Sequence, residues 1–110
     1  MNIKEIKKEK AIVLMIEGRL DSSSSGMLEK KMLSLLETGE KNFLVDFSGM
    51  DYISSAGLRV LLMAAKKTKP AGGKVVLSAL TDNVKEVFDI AGFISVFPIF
   101  ATQEEAIQSF

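Results

Sequence analysis

"NFLVDFSGMDYISSAGLRVLL", Asn42 to Leu62, changes its periodicity once, and that change decides the fold. Its first six residues, Asn42–Phe47, form a short, mostly apolar run, the pattern of a strand covered on both faces. From Leu58 the apolar positions fall at Leu58, Leu61, Leu62 and Ala65, the i, i+3, i+4, i+7 spacing of one helix face. Between the two, Ser48 to Ile53 reads as a loop, and the adjacent Ser54 and Ser55 stand where the helix begins. A buried strand feeding a helix through a short polar connection is half of an α/β unit.

The same alternation continues in both directions. Upstream, "AIVLMIEG" (11–18) is a second buried strand, and "KEIKKEK", with its charges alternating in sign, reads as a solvated edge strand. Leu28, Met32, Leu35 and Leu36 predict a helix that stops at Gly39, with Asp21 or Ser22 of the "DSSSS" run as its cap. Downstream, "KPAGG" (69–73) breaks the chain before a strand at "KVVLSAL" (74–80). Val84, Val87, Phe88 and Ala91 give the next helix, and Gly92 sits where a left-handed cap belongs. "ISVFPIF" (94–100) reads as a strand at a sheet edge, because Pro98 has no backbone donor. "TQEEAIQSF" opens on Thr102 with Glu105 three residues on, a capping box for a last helix. The expectation is one α/β domain over residues 1–110, a small mixed sheet of about five strands packed with about four helices. Phe93, Phe97 and Phe100 either complete its core or form an exposed patch.

Composition removes most catalytic chemistry. The 110 residues include no Cys and no His, so thiol nucleophiles, Ser-His-Asp triads and imidazole metal sites are out of reach. Neither a cofactor nor a metal site is expected. The "AGGK" at 71–74 lacks the flanking Gly and the Ser or Thr of a phosphate loop, since Thr68 and Val75 occupy those places. Fourteen basic residues balance fourteen acidic ones, which argues against nucleic acid as a partner. No apolar run approaches membrane-span length and no export signal is visible, so a cytoplasmic protein without a membrane partner is expected. That leaves a binding or switching module ahead of an enzyme.

Sites in α/β sheets gather beyond the carboxyl ends of strands, which is where Asp21, Ser54 and Ser55 would meet if their strands are neighbours. One serine can be simply an N-cap, with Ala56 and Gly57 allowing close packing of the first turn. Alternatively, one is phosphorylated: the dianion would sit beside the positive end of a helix, harmless to the fold but not to a bound partner. Val60, Met63 and Ala64, on the side away from Leu58 and Leu61, would form a docking face ringed by Arg59, Lys66 and Lys67 unless the next helix covers them. An enzyme using Asp21 and Asp46 has only two carboxylates in its favour.

"EGRLDSSSS", "NFLVDFSGMDYISSAGLRVLL" and "LTDNVKEVFDIAGFISVFPIFATQEEA" together resemble the bacterial anti-sigma factor antagonists, whose fold is the STAS domain. The resemblance runs the length of the chain and is most specific in "DFSGMDYISSAGLRVL". It implies a protein that is not an enzyme. Such a protein, when unphosphorylated, binds an anti-sigma factor with serine kinase activity and so releases the sigma factor. Phosphorylation by that kinase switches it off, and a serine phosphatase resets it. Aligned on "SSAGL", the phosphoacceptor is Ser55, with Ser54 as second candidate because it stands where the family usually has Asp. Asp21 matches the acidic residue of a "Gly-x-Leu-Asp" turn. The partner-binding set is then Asp21, Ser54, Ser55, Ala56, Gly57, Arg59, Val60 and Met63, on a monomer or weak dimer. The same domain type also serves as an accessory subunit of transport or stress-signalling complexes, and a small-molecule or nucleotide binder is the remaining alternative.

Overall fold

A computed structural model describes residues 1–110. The elements are β1 (Asn2–Lys7), β2 (Ile12–Leu20), α1 (Ser25–Glu37), β3 (Asn42–Ile53), α2 (Ser55–Thr68), β4 (Lys74–Ser78), α3 (Asp82–Ile90), β5 (Ile99–Phe100) and α4 (Gln103–Gln108), with a short 3-10 turn at Lys69–Ala71. The strands lie in the order β1-β2-β3-β4-β5. β1 runs antiparallel to β2, and every later pair is parallel. The mixed sheet of five strands with four helices is thus the architecture expected from the sequence.

Strands β2 to β5 advance in one direction across the sheet, so right-handed crossovers place α1, α2 and α3 on a single face. There Ile12, Leu14 and Ile16 of β2 and Phe43, Val45 and Phe47 of β3 meet Leu28 and Met32 of α1, Leu58, Leu61 and Ala64 of α2, and Val84 and Phe88 of α3. The alternate residues Val13, Leu44 and Val76 face the other way and are covered by Ala106 of α4. Burial on both faces explains why these strands read as short apolar runs. Turns are set by glycine where the backbone requires it. At Gly73 an added Cβ would stand 1.9 Å from the Lys41 carbonyl oxygen, an impossible contact.

Four expectations need correction. Ser48–Ile53 is not a loop: β3 continues through it and pairs with Glu17–Leu20 across two register shifts. Its exposed Ser48, Gly49, Asp51 and Tyr52 imitate a loop, but Met50 and Ile53 are buried and anchor the extension. The strand expected at 94–100 shrinks to Ile99–Phe100, because residues 94–97 turn so that Phe97 can pack edge-on to Phe88 with ring centroids 6.0 Å apart. Pro98 does flank an edge strand, and its carbonyl accepts from the Leu77 amide. Phe97 is buried, and Phe93 and Phe100 are half-buried against the two cores, so the three rings complete the interior.

The third correction concerns α2. Leu58 and Leu61 are buried as expected, but so are Val60 and Ala64, whereas Leu62, Met63 and Ala65 are only half-buried. The helix packs against α1 as well as against the sheet, and this second contact buries a second side. Fourth, α1 begins at Ser25, later than a cap at Asp21 or Ser22 requires. The Asp21 carboxylate instead accepts from the Ser23 and Ser24 amides, holding the turn that leads into the helix. Of the later caps, Gly92 is left-handed at φ 77° after α3 as expected, and Thr102 accepts from the Glu105 amide, one of the two bonds of a capping box.

Candidate functional site

The carboxyl ends of β2 and β3 finish side by side. Leu20 pairs with Ile53, and the Leu20 carbonyl accepts from the Ser54 amide at 2.9 Å. Asp21 and Ser54 are therefore neighbours, as the constellation read from the sequence requires. The contact depends on Gly57: a Cβ there would lie 2.7 Å from Leu20 Cγ and 3.0 Å from Ile53 Cγ1. Only glycine lets the first turn of α2 sit this low on the two strand ends.

The geometry divides the two serines. Ser54 is the N-cap, extended at φ −101° and ψ 174°, with its half-buried side-chain oxygen accepting from the Gly57 amide at 3.4 Å. Ser55 is the first helical residue; its hydroxyl is exposed and has no hydrogen-bond partner in the chain. The cap thus uses one oxygen and leaves the other at the positively polarised end of a 14-residue helix, beside amides that have no intrahelical acceptor. Ala56 is half-buried next to it.

Asp21 is held at the rim by the Ser23 hydroxyl at 2.7 Å and the Ser23 amide at 3.0 Å. These bonds, the Ser23 hydroxyl foremost, hold its carboxyl below the usual carboxylate range. Arg19 Nε lies 3.7 Å from Asp21, and its guanidinium stacks 4.1 Å above the Tyr52 ring. Neither Arg19 nor Tyr52 emerged from the sequence. They meet only because the register shifts of the β2–β3 extension place them opposite each other, and no local spacing signals that. Further along α2, Arg59 is exposed and Met63 half-buried, and the two line a shallow groove with Leu62, Lys66 and Lys67. Val60 and Gly57 leave the proposed docking set as surface residues, since Val60 is 6% exposed and part of the core and Gly57 is buried against Leu20 and Ile53.

Asp46 lies elsewhere. It faces the α4 side, 3% exposed, accepting from the Ser48 hydroxyl at 2.6 Å, the Ser48 amide at 2.8 Å and the Ser78 hydroxyl at 3.2 Å. Burial pushes its carboxyl up, but hydrogen bonds, those from Ser48 foremost, outweigh burial and hold it below the usual range. Its β2 partner, Met15, precedes Asp21 by six residues, roughly 20 Å of strand. Asp21 and Asp46 therefore do not form a pair, and Asp46 is a satisfied structural carboxylate. No helix is long and apolar enough to cross a membrane.

Residues 2–106 match the STAS domain family, and the chain belongs to it. Two of its relatives are named as anti-sigma factor antagonists. The chain is 37% identical over 99 residues to BtrV of Bordetella bronchiseptica, covering 90% of this chain and 85% of that one; BtrV is named only provisionally as such an antagonist. It is 29% identical over 108 residues to the anti-sigma-B factor antagonist of Bacillus subtilis, covering 98% of both. Among solved structures, the Bacillus cell fate determinant SpoIIAA in its phosphorylated form superposes with a TM-score of 0.78 at 19% identity, over 98% of each chain. The unphosphorylated anti-sigma factor antagonist SpoIIAA superposes with a TM-score of 0.77 at 18% identity, over 98% of this chain and 96% of that one.

Proposed function

We propose that this chain is a reversible binding switch, set by phosphorylation of Ser55. Unmodified, residues 1–110 act as one docking unit in the cytoplasm and engage an anti-sigma factor with serine kinase activity, which frees the sigma factor. The kinase then transfers the γ-phosphoryl group of ATP to Ser55 Oγ: an O–P bond forms, the bridge to ADP breaks, and the hydroxyl proton leaves. A serine phosphatase restores the hydroxyl by hydrolysis.

The observation that carries this reading is the exposed, unbonded hydroxyl of Ser55 beside a Ser54 that already does the capping. A kinase can remove that proton without dismantling the helix start. The added charge of about −1.5 to −2 falls at a helix N-terminus, where the monomer tolerates it. A partner packed over Asp21, Ala56, Arg59 and Met63 would have to bury it, and each 1.4 kcal/mol of that penalty weakens binding tenfold. The tolerance of the fold is supported by SpoIIAA, whose phosphorylated and unphosphorylated forms both superpose on this chain, with TM-scores of 0.78 and 0.77. The test is incubation with the cognate kinase and ATP, followed by mapping of the modified residue by mass spectrometry. One phosphate on Ser55, absent from Ser55→Ala, is the expected result; undiminished incorporation into Ser55→Ala overturns the assignment.

A further inference from the structure

We propose that Arg59 binds the phosphate of phosphorylated Ser55, so that the modified helix tip closes on itself as a phosphoserine–arginine pair. The existence of that phosphate rests on the switch described above; the pairing rests on geometry. Ser55 and Arg59 are four residues apart on α2 and both exposed. Residues so spaced have Cβ atoms about 5–6 Å apart on one helix face. Helical side chains lean toward the N-terminus, so the Arg59 guanidinium has the reach to fold back over Ser55. Its planar fork matches two phosphate oxygens at once.

Arg59 is also the cation left available there. The ion pairs of the structure are Lys7–Glu40, Arg19–Asp21 and Lys31–Glu5, so Arg59 is in none of them. Arg19, the other guanidinium at this rim, is held between Tyr52 and Asp21. No acidic residue occurs in Ser55–Thr68, so no carboxylate on the helix competes for Arg59 or repels the phosphate. From the elements packed against α2 the charged or titratable groups are Arg19 and Asp21 at the end of β2, Asp51 and Tyr52 near the end of β3, and Glu29, Lys30, Glu37 and the Glu5-paired Lys31 on α1. Of these carboxylates, Asp21 is turned to its own serines.

The consequence is a switch with two parts. Modification adds a dianion to the docking face and at the same time withdraws Arg59 from it. The partner of the unmodified form loses a cation as well as meeting an anion, while the monomer sees the two charges offset.

Phosphoserine installed at position 55 by genetic encoding makes the test independent of any kinase. The phosphorus resonance of that protein is followed against pH in the parent, Arg59→Gln and Arg59→Lys, with backbone amide spectra of the same samples reporting the fold. The parent phosphate should titrate below the value of about 6 for phosphoserine. Arg59→Gln should raise it by about 0.2–0.4 unit, the size of one helical ion pair, and Arg59→Lys by less. Molar salt should erase the difference. Superimposable titrations of parent and Arg59→Gln, with both folded, overturn the pairing whether or not a kinase modifies Ser55. Failure of a kinase to modify Ser55 would count against the switch alone.

Discussion

Exchanging each serine for alanine in turn separates capping from signalling. In Ser54→Ala the Gly57 amide loses its acceptor. N-caps contribute about 0.5–2 kcal/mol, and the 3.4 Å length of this bond puts it in the lower half of that range, about 0.5–1 kcal/mol. For a domain of this size that corresponds to a fall in Tm of roughly 2–4 °C. Ser55→Ala removes an exposed hydroxyl with no partner and places a better helix former at the first helical position, so its Tm should stay within about 2 °C of the parent, on the higher side. Differential scanning calorimetry of the three proteins reads both numbers. Phosphorylation should show the reverse pattern, retained in Ser54→Ala and lost in Ser55→Ala. The reasoning fails if Ser55→Ala melts as early as Ser54→Ala, or if Ser54→Ala keeps the full parent stability.

Gly57→Ala should cost about 1–2 kcal/mol in chemical denaturation despite the better helix propensity of alanine. The new methyl would press on Leu20 and Ile53, which are buried and cannot swing aside; an unchanged midpoint would show that the first turn is not seated on the strand ends. The pH profile follows from Asp21 and Asp46, whose carboxyls both lie below their unfolded values. Their stabilisation is fully present above the unfolded pKa and is lost as pH falls through the folded values. Stability should thus be flat above roughly pH 5 and decline below about pH 4. Asp46→Asn should be less stable at pH 7 and decline less steeply in acid; parallel acid profiles for parent and variant would remove Asp46 as a cause.

The fold was legible where strands are buried on both faces and helices on one, because there periodicity alone separates them. "AIVLMIEG" and "NFLVDF" announce β2 and the first half of β3, and the Leu28–Leu36 spacing announces α1. Legibility fails where burial depends on a distant partner. The second half of β3 looked like a loop because only Met50 and Ile53 point inward, and its pairing with Glu17–Leu20 lies outside any local window. Val60 looked exposed because a helix wheel assumes one buried face, whereas α2 has both the sheet and α1 against it. At the site, the serine pair and Asp21 were visible as residue types at the ends of strands. Which serine caps was not, because that depends on where the chain leaves the extended conformation, and the backbone places that point at Ser54. The Arg19–Tyr52 contact was hidden for the same reason as the strand extension that creates it.

Isothermal titration of the cognate anti-sigma kinase with two otherwise identical samples, one bare and one carrying phosphate on position 55, tests the switch most directly. A drop in affinity of about a hundredfold or more, equivalent to roughly 3 kcal/mol, is expected, with circular dichroism of the two samples superimposable. Equal dissociation constants for the two samples would contradict the account, as would weakened binding that arises only because the phosphorylated chain has unfolded.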